Sequence, residues 1–204
     1  MWFESHLNKM NELLTTLSKD ENKLIRYENY FKNEIIFHED TICDVIGIVL
    51  EGRVDISSYS FNGDELIYNS LTENMIFGNN LIFSTNPKFK GSVIAKENSN
   101  IAFISKTNLI KLLQQNEKFL EEYLKIQSDF GKYLNSQIKL LSYSSAEERF
   151  LYYLFINNNQ IIYTSVTDLA NQLHLKRETL SRLLSSLEKR HLIRRHKNQI
   201  IYLN

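Results

Sequence analysis

The spacing of hydrophobic positions changes character along the chain, and each change predicts a different element. Across residues 2–18, Trp2, Leu7, Met10, Leu13, Leu14 and Leu17 recur at three- and four-residue steps, which predicts a short amphipathic helix. Between roughly residues 30 and 105 the texture becomes short runs of β-branched and aromatic residues, at 35–37, 45–50, 54–57, 66–68, 92–95 and 101–104. Turn signals separate them: Glu51-Gly52, Asn62-Gly63 and Phe77-Gly78. Asn-Gly supplies the positive φ angles of a tight hairpin. Many short strands at this spacing predict a β-sandwich or small barrel.

From about residue 107 the period becomes helical. Phe119, Tyr123, Ile126, Phe130, Tyr133, Gln137 and Leu140 follow alternating four- and three-residue steps. That is a heptad seam, and it predicts a helix of roughly 35 residues, ~50 Å long, paired with a second copy in a coiled coil. Neighbouring faces are apolar too, through Leu113, Leu120, Leu124, Leu134, Ile138 and Leu141, so the helix has a second surface for its own β-domain. Residues 142–145 interrupt the pattern and place a hinge at 141–145. Either Ser144 with Glu147 or Ser145 with Glu148 has capping-box spacing, opening a helix over 146–156. A turn at 157–159 and a short strand over 160–164 follow. The chain divides into a β-rich part (1–106), a dimerisation helix (107–142) and a C-terminal domain (143–204).

In the C-terminal domain, Ser165 stands three residues before Asp168, a cap signal for a short helix ending near Leu173. His174-Leu175 makes a turn, and residues 176–189 form a second helix with Leu180, Leu183, Leu184 and Leu187 inward. Ala170 is small where the two helices would cross. This is the helix-turn-helix pattern, and the strands expected at 192–195 and 200–203 make a wing. Lys176, Arg177, Glu178, Thr179, Ser181 and Arg182 open the second helix, with Arg177, Glu178, Ser181 and Arg182 sharing its outward face. Arg can grip guanine O6 and N7 with both arms, and Glu can accept from cytosine N4. Lys197, Arg194 and Arg195 in the wing are candidates for phosphates. The plainer reading of the same face is a solvated helix with a Glu178–Arg182 ion pair.

Charge moves the picture toward DNA. Formal net charge is zero, but residues 143–204 hold nine Lys and Arg against five Asp and Glu, leaving a basic end on an acidic body. One cysteine, Cys43, excludes a disulfide framework and a four-cysteine iron–sulfur site. No signal peptide and no membrane-length apolar run are visible, so a cytoplasmic protein that makes no membrane contact is expected. No Ser/His/Asp set or paired carboxylates stand out, so no enzyme and no catalytic residue are expected. His38 is alone among the β-runs, too few histidines for a cupin-type metal site.

These motifs resemble the cyclic-AMP receptor protein/FNR (CRP/FNR) family of bacterial transcription regulators over nearly the whole length. The resemblance rests on Glu51-Gly52-Arg53-Val54, Asn62-Gly63, Ile76-Phe77-Gly78, the long helix, and Arg177-Glu178-Thr179 with Ser181-Arg182. It implies an α+β fold: an N-terminal double-stranded β-helix (a jelly-roll of the cyclic-nucleotide-binding type), a long dimerisation α-helix and a C-terminal winged helix-turn-helix. It implies a homodimer on double-stranded DNA, with Arg177 and Arg182 at guanines and Glu178 at a cytosine of a TGTGA-like inverted repeat. RNA polymerase is an implied partner. Two positions depart from the family: His174 stands where Gly is usual and would need positive φ, and Lys176 replaces the usual Ser cap.

Family members that bind cyclic nucleotides use a Gly-Glu-Leu turn and an Arg-Ser pair. Here the turn reads Gly78-Asn79-Asn80-Leu81, and residues 87–95 contain no Arg, only Lys88 and Lys90. Cyclic AMP is therefore not the expected ligand. Haem would need Cys43 or His38, each more simply a strand or loop residue. No cofactor and no metal are expected. An unidentified small-molecule effector, or none, is left, and Asn79, Asn80, Ser92, Tyr123, Gln127 and Phe130 are the residues available to line its pocket. The alternative is a cyclic-nucleotide-type sensor whose C-terminal domain contacts a protein partner.

Overall fold

The computed structural model describes residues 10–203, and the chain forms two compact units, residues 6–129 and 130–204. In the first unit, α1 (Met10–Thr15) precedes a 3-10 turn at Glu21–Leu24. The expected first helix falls partly outside the described residues, and its end comes earlier than residue 18. Ser18 is drawn into the next turn instead: its N–H donates to Glu21 Oε2 at 2.8 Å and its Oγ accepts from Glu21 N–H at 3.3 Å.

Eight strands follow: β1 (Ile25–Tyr30), β2 (Ile35–Phe37), β3 (Val45–Glu51), β4 (Val54–Tyr59), β5 (Glu65–Leu71), β6 (Ile76–Phe77), β7 (Ser92–Ala95) and β8 (Ser99–Ser105). They form two antiparallel four-stranded sheets, ordered β1-β8-β3-β6 and β2-β7-β4-β5. Ile46, Ile48, Val49, Val54, Val93 and Ile101 are buried with the aromatic cluster Phe77, Phe89 and Phe103, and half-buried Phe37 stacks on Phe89 with ring centres 4.7 Å apart. The Asn62-Gly63 turn is wider than a two-residue hairpin. Only Gly63 takes positive φ (85°), because Ser60 Oγ accepts the N–H groups of both Asn62 and Asp64 and holds a five-residue loop.

Gly47 pairs with Phe77 across β3 and β6, and any side chain there would overlap the Phe77 ring. Phe77 is itself packed edge-on against Phe37 and Phe103 and cannot swing away. Gly47→Ala is therefore expected to cost about 1–3 kcal/mol, read as a lowered unfolding midpoint in urea.

The expected single helix from 107 to 142 is in fact two, α2 (Lys106–Gln115) and α3 (Glu117–Ser142). Asn116 takes an extended backbone between them, its Oδ1 accepts Phe119 N–H at 2.9 Å, and its Nδ2 donates to Thr16 O at 3.2 Å. At 26 residues, α3 is ~39 Å long. The seam read from sequence as the partner-facing one is largely occupied by the chain itself. Phe119, Tyr123 and Ile126 are buried, and Leu140 lies in the core of the second unit. The exposed apolar face is one position on: Leu124 (55%), Leu134 (43%), Ile138 (66%) and Leu141 (50%). With Leu120, Gln127 and Gly131 these residues keep the same four-three repeat.

The second unit continues through α4 (Ala146–Ile156), β9 (Gln160–Ile162), α5 (Val166–Gln172), α6 (Arg177–Lys189), β10 (Ile193–His196) and β11 (Gln199–Tyr202). Its sheet runs β10-β11-β9. Of the two capping boxes open in the sequence, the structure uses Ser145, whose Oγ accepts Glu148 N–H at 3.0 Å. The core joins Leu140, Phe150, Leu154, Leu169, Leu180, Leu184, Leu187, Ile193 and Ile200. Among the described residues, no helix is long and apolar enough to cross a membrane.

Candidate nucleic-acid interface

The helix-turn-helix is built from its caps inward. Ser165 Oγ accepts Asp168 N–H at 3.1 Å and donates to the Asp168 carboxylate at 2.6 Å, which starts α5. Ala170 is buried and its carbonyl accepts Leu175 N–H at 2.9 Å, so the chain reverses tightly over a side chain too small to obstruct it. His174 holds φ at +51°, the strained conformation expected where glycine is usual. Lys176 caps α6 in extended conformation without a side-chain hydrogen bond. Leu180, Leu184 and Leu187 are fully buried, so α6 can present only its opposite face.

On that face Lys176, Arg177, Glu178, Ser181 and Arg182 are exposed and Thr179 is half-buried. Arg182 Nε donates to the Glu178 carbonyl of its own helix at 3.3 Å. Among the described residues no ion pair joins the Glu178 carboxylate to Arg182. Further along, Ser181, Arg182, Ser185, Ser186, Lys189 and Arg190 line an open depression of about 440 Å³. Lys197 sits exposed in the wing turn between β10 and β11, at φ +51°.

Two arginines of this domain are engaged within the chain. Arg195, read from sequence as a phosphate candidate, is clamped to Glu188 of α6, with Nε and Nη2 to Oε2 at 2.9 and 2.6 Å and backbone N–H to Oε1 at 3.1 Å. These bonds hold the Glu188 carboxyl below its ordinary range. Arg195 therefore ties the wing to the recognition helix, while Arg194 stays exposed. Arg190 Nη1 donates to both carboxylate oxygens of Glu147 of α4, at 2.7 and 2.8 Å. Both ties join different elements, the wing strand to α6 and the end of α6 to α4, so no local spacing in the sequence marks them.

Residues 27–116 match the cyclic nucleotide-binding domain, and residues 148–204 match the Crp-like helix-turn-helix domain. The chain belongs to the CRP/FNR family. A comparison with curated proteins gave no match. Among solved structures, the catabolite activator protein of Thermus thermophilus is similar at 18% identity, with 94% of this chain and 93% of that chain covered and a TM-score of 0.55. A CooA mutant from Carboxydothermus hydrogenoformans is similar at 18% identity, 94% and 90% coverage and a TM-score of 0.68. A transcriptional regulator of Thermotoga maritima reaches 27% identity over 62% of this chain and 98% of that one, with a TM-score of 0.55. The CRP/FNR fold thus joins a cyclic-nucleotide-type β-domain to a DNA-binding helix-turn-helix.

The β-domain of this CRP/FNR chain has its own character around the Gly78 turn. Gly78 takes φ +79° and its carbonyl accepts Leu81 and Ile82 N–H at 3.0 and 2.9 Å. Asn79 is buried and donates through Nδ2 to Gln127 Oε1 at 3.3 Å, while Asn80 is exposed. In the segment where nucleotide-binding relatives carry Arg, Phe89 is 2% exposed and stacks on Phe37, while Lys88 and Lys90 on either side point to solvent. An inward aromatic ring thus stands between two outward cations. Ser92 Oγ accepts Glu39 N–H at 3.2 Å and serves the loop beside β2. Cys43 is buried, and loss of solvent pushes its thiol up to about 11.

Proposed function

We propose that this chain is a homodimeric transcription regulator that reads an inverted repeat of TGTGA-like half-sites, with an effector other than cyclic AMP or none. The observation that carries it is the exposed face of α6, where two guanidinium groups and a carboxylate stand on successive turns with no ion pair between Glu178 and Arg182. In this reading Arg177 and Arg182 grip guanines, Glu178 accepts from cytosine N4, and Lys176, Thr179, Ser181 and Lys197 contact backbone or flanking positions. Residues 1–106 act as the sensor-like part, 107–142 carry the dimer contact and 143–204 bind DNA.

The exposed stripe Leu124, Leu134, Ile138 and Leu141 supports the pairing, because a solvated apolar seam in heptad register is what a two-stranded coil buries. A twofold dimer would place its recognition helices on half-sites about one helical turn apart, ~34 Å. RNA polymerase is the partner such a regulator would address. Selection from a random duplex pool tests the reading: a symmetric repeat supports it, and capture of a protein partner with no duplex preference supports the alternative.

A further inference from the structure

Arg149 has no part in any motif, yet its guanidinium bridges two places far apart in the chain. It lies on α4, half-buried, next to fully buried Phe150. Nη2 donates to the Tyr143 carbonyl at 3.0 Å. Nη1 donates to the carbonyls of Leu173 at 3.3 Å and His174 at 3.2 Å. Tyr143 is the first residue after α3, and Leu173-His174 is the turn of the helix-turn-helix. Carbonyls at helix ends lack intrahelical donors and carry the negative end of the helix dipole, so a planar cation satisfies both places at once.

We propose that Arg149 is a positioning residue that locks the recognition-helix turn to the last turn of the long helix. Three further contacts brace the same junction. Leu140 of α3 lies in the core with Phe150 and Leu154, Lys139 Nζ sits 5.0 Å over the Tyr152 ring, and the Tyr143 and Tyr152 rings are 5.2 Å apart. Residues 141–145, expected from sequence to be a hinge, are therefore held. The consequence, which rests on the paired-site reading above, is a fixed bearing of each recognition helix and hence one preferred half-site spacing. Lysine keeps the charge but, as a point donor on a flexible stem, cannot span three carbonyls in this arrangement.

The test uses the full chain as wild type, Arg149→Met and Arg149→Lys. Amide hydrogen exchange and binding to a single half-site and to inverted repeats of altered spacer are measured. Arg149→Met is expected to speed exchange at residues 173–176 about tenfold, leaving Leu184 and Leu187 protected. Single half-site affinity stays within about twofold, whereas discrimination against a spacer changed by one base pair falls about tenfold. Arg149→Lys falls on the Met side of wild type, and carries the same comparison if Met does not fold. Exchange that rises uniformly through α4, α5 and α6, or does not change at the turn, overturns the proposal. So does an unchanged spacer preference in a variant with a loosened turn. If the wild type itself shows no spacer preference, the paired-site reading fails, and the exchange pattern alone still decides for or against the lock.

Discussion

Arg177→Ala is expected to weaken binding to the full inverted repeat by about 2–6 kcal/mol, because each of two half-sites loses a base contact worth about 1–3 kcal/mol. The loss is expected to be sequence-selective. The variant should bind wild-type repeats and repeats altered at one symmetric base pair with nearly equal affinity, since the residue that told them apart is gone. Lys197→Ala is a useful contrast. A wing-turn lysine facing a phosphate should weaken all duplexes uniformly and reduce the salt slope by about one per half-site. Fluorescence titration at two salt concentrations separates the two patterns. Uniform weakening by Arg177→Ala would move that residue from base reading to phosphate contact. The geometry behind this expectation is local: Arg177 and Glu178 are exposed on the first turn of α6, and the buried leucines on its other side fix which way that turn faces.

The second large effect concerns assembly. Replacing Leu134 and Ile138 together by Glu is expected to leave each unit folded and convert the proposed dimer to monomer. Both side chains are substantially exposed in the single chain, at 43% and 66%, so neither supports its own core. Apolar burial in a coiled-coil seam contributes about 1.5–3 kcal/mol for each fully covered side chain, and the double variant removes four of them across the twofold while placing like charges opposite each other. Sedimentation velocity reads the mass. DNA binding should fall to the level of one half-site, far weaker than the paired repeat. By contrast, a polar change at Phe119 or Ile126 should lower stability of the chain itself, because those residues are buried without a partner.

That contrast shows where the sequence was ambiguous. Two heptad series run through α3, displaced by one position, and one position is about 100° of helix. Both are apolar, so periodicity alone could not say which meets the rest of the chain. The structure decides by burying Phe119, Tyr123 and Ile126 and leaving Leu124 and Ile138 in solvent. Asn116 was invisible for a related reason. A single Asn is tolerated in a helix, and its value as a break depends on Thr16, a hundred residues away in the chain. Strand β1 was missed because it is polar and pairs only with β8 at a sheet edge.

The helix-turn-helix was legible because its signals are local. Ser165 and Asp168 are three residues apart, the inward leucines of α6 follow helical spacing, and the turn position held by His174 calls for positive φ. Lys176, Arg177, Glu178, Ser181 and Arg182 fall on the exposed face that their order implied. What locks that face in place was not legible. Arg149, Glu188 and Glu147 act on partners that only the tertiary fold brings near. The missing phosphate-side arginine could be seen in the sequence, but not that Phe89 would fill the interior against Phe37.

Selection of duplexes from a random pool by the full chain, followed by sequencing, tests the central claim most directly. The account predicts an inverted repeat with half-site centres about 10 base pairs apart, and loss of preference at one symmetric pair of positions in Arg177→Ala. An unpaired motif, no enriched motif, or a repeat read equally well by Arg177→Ala would contradict it.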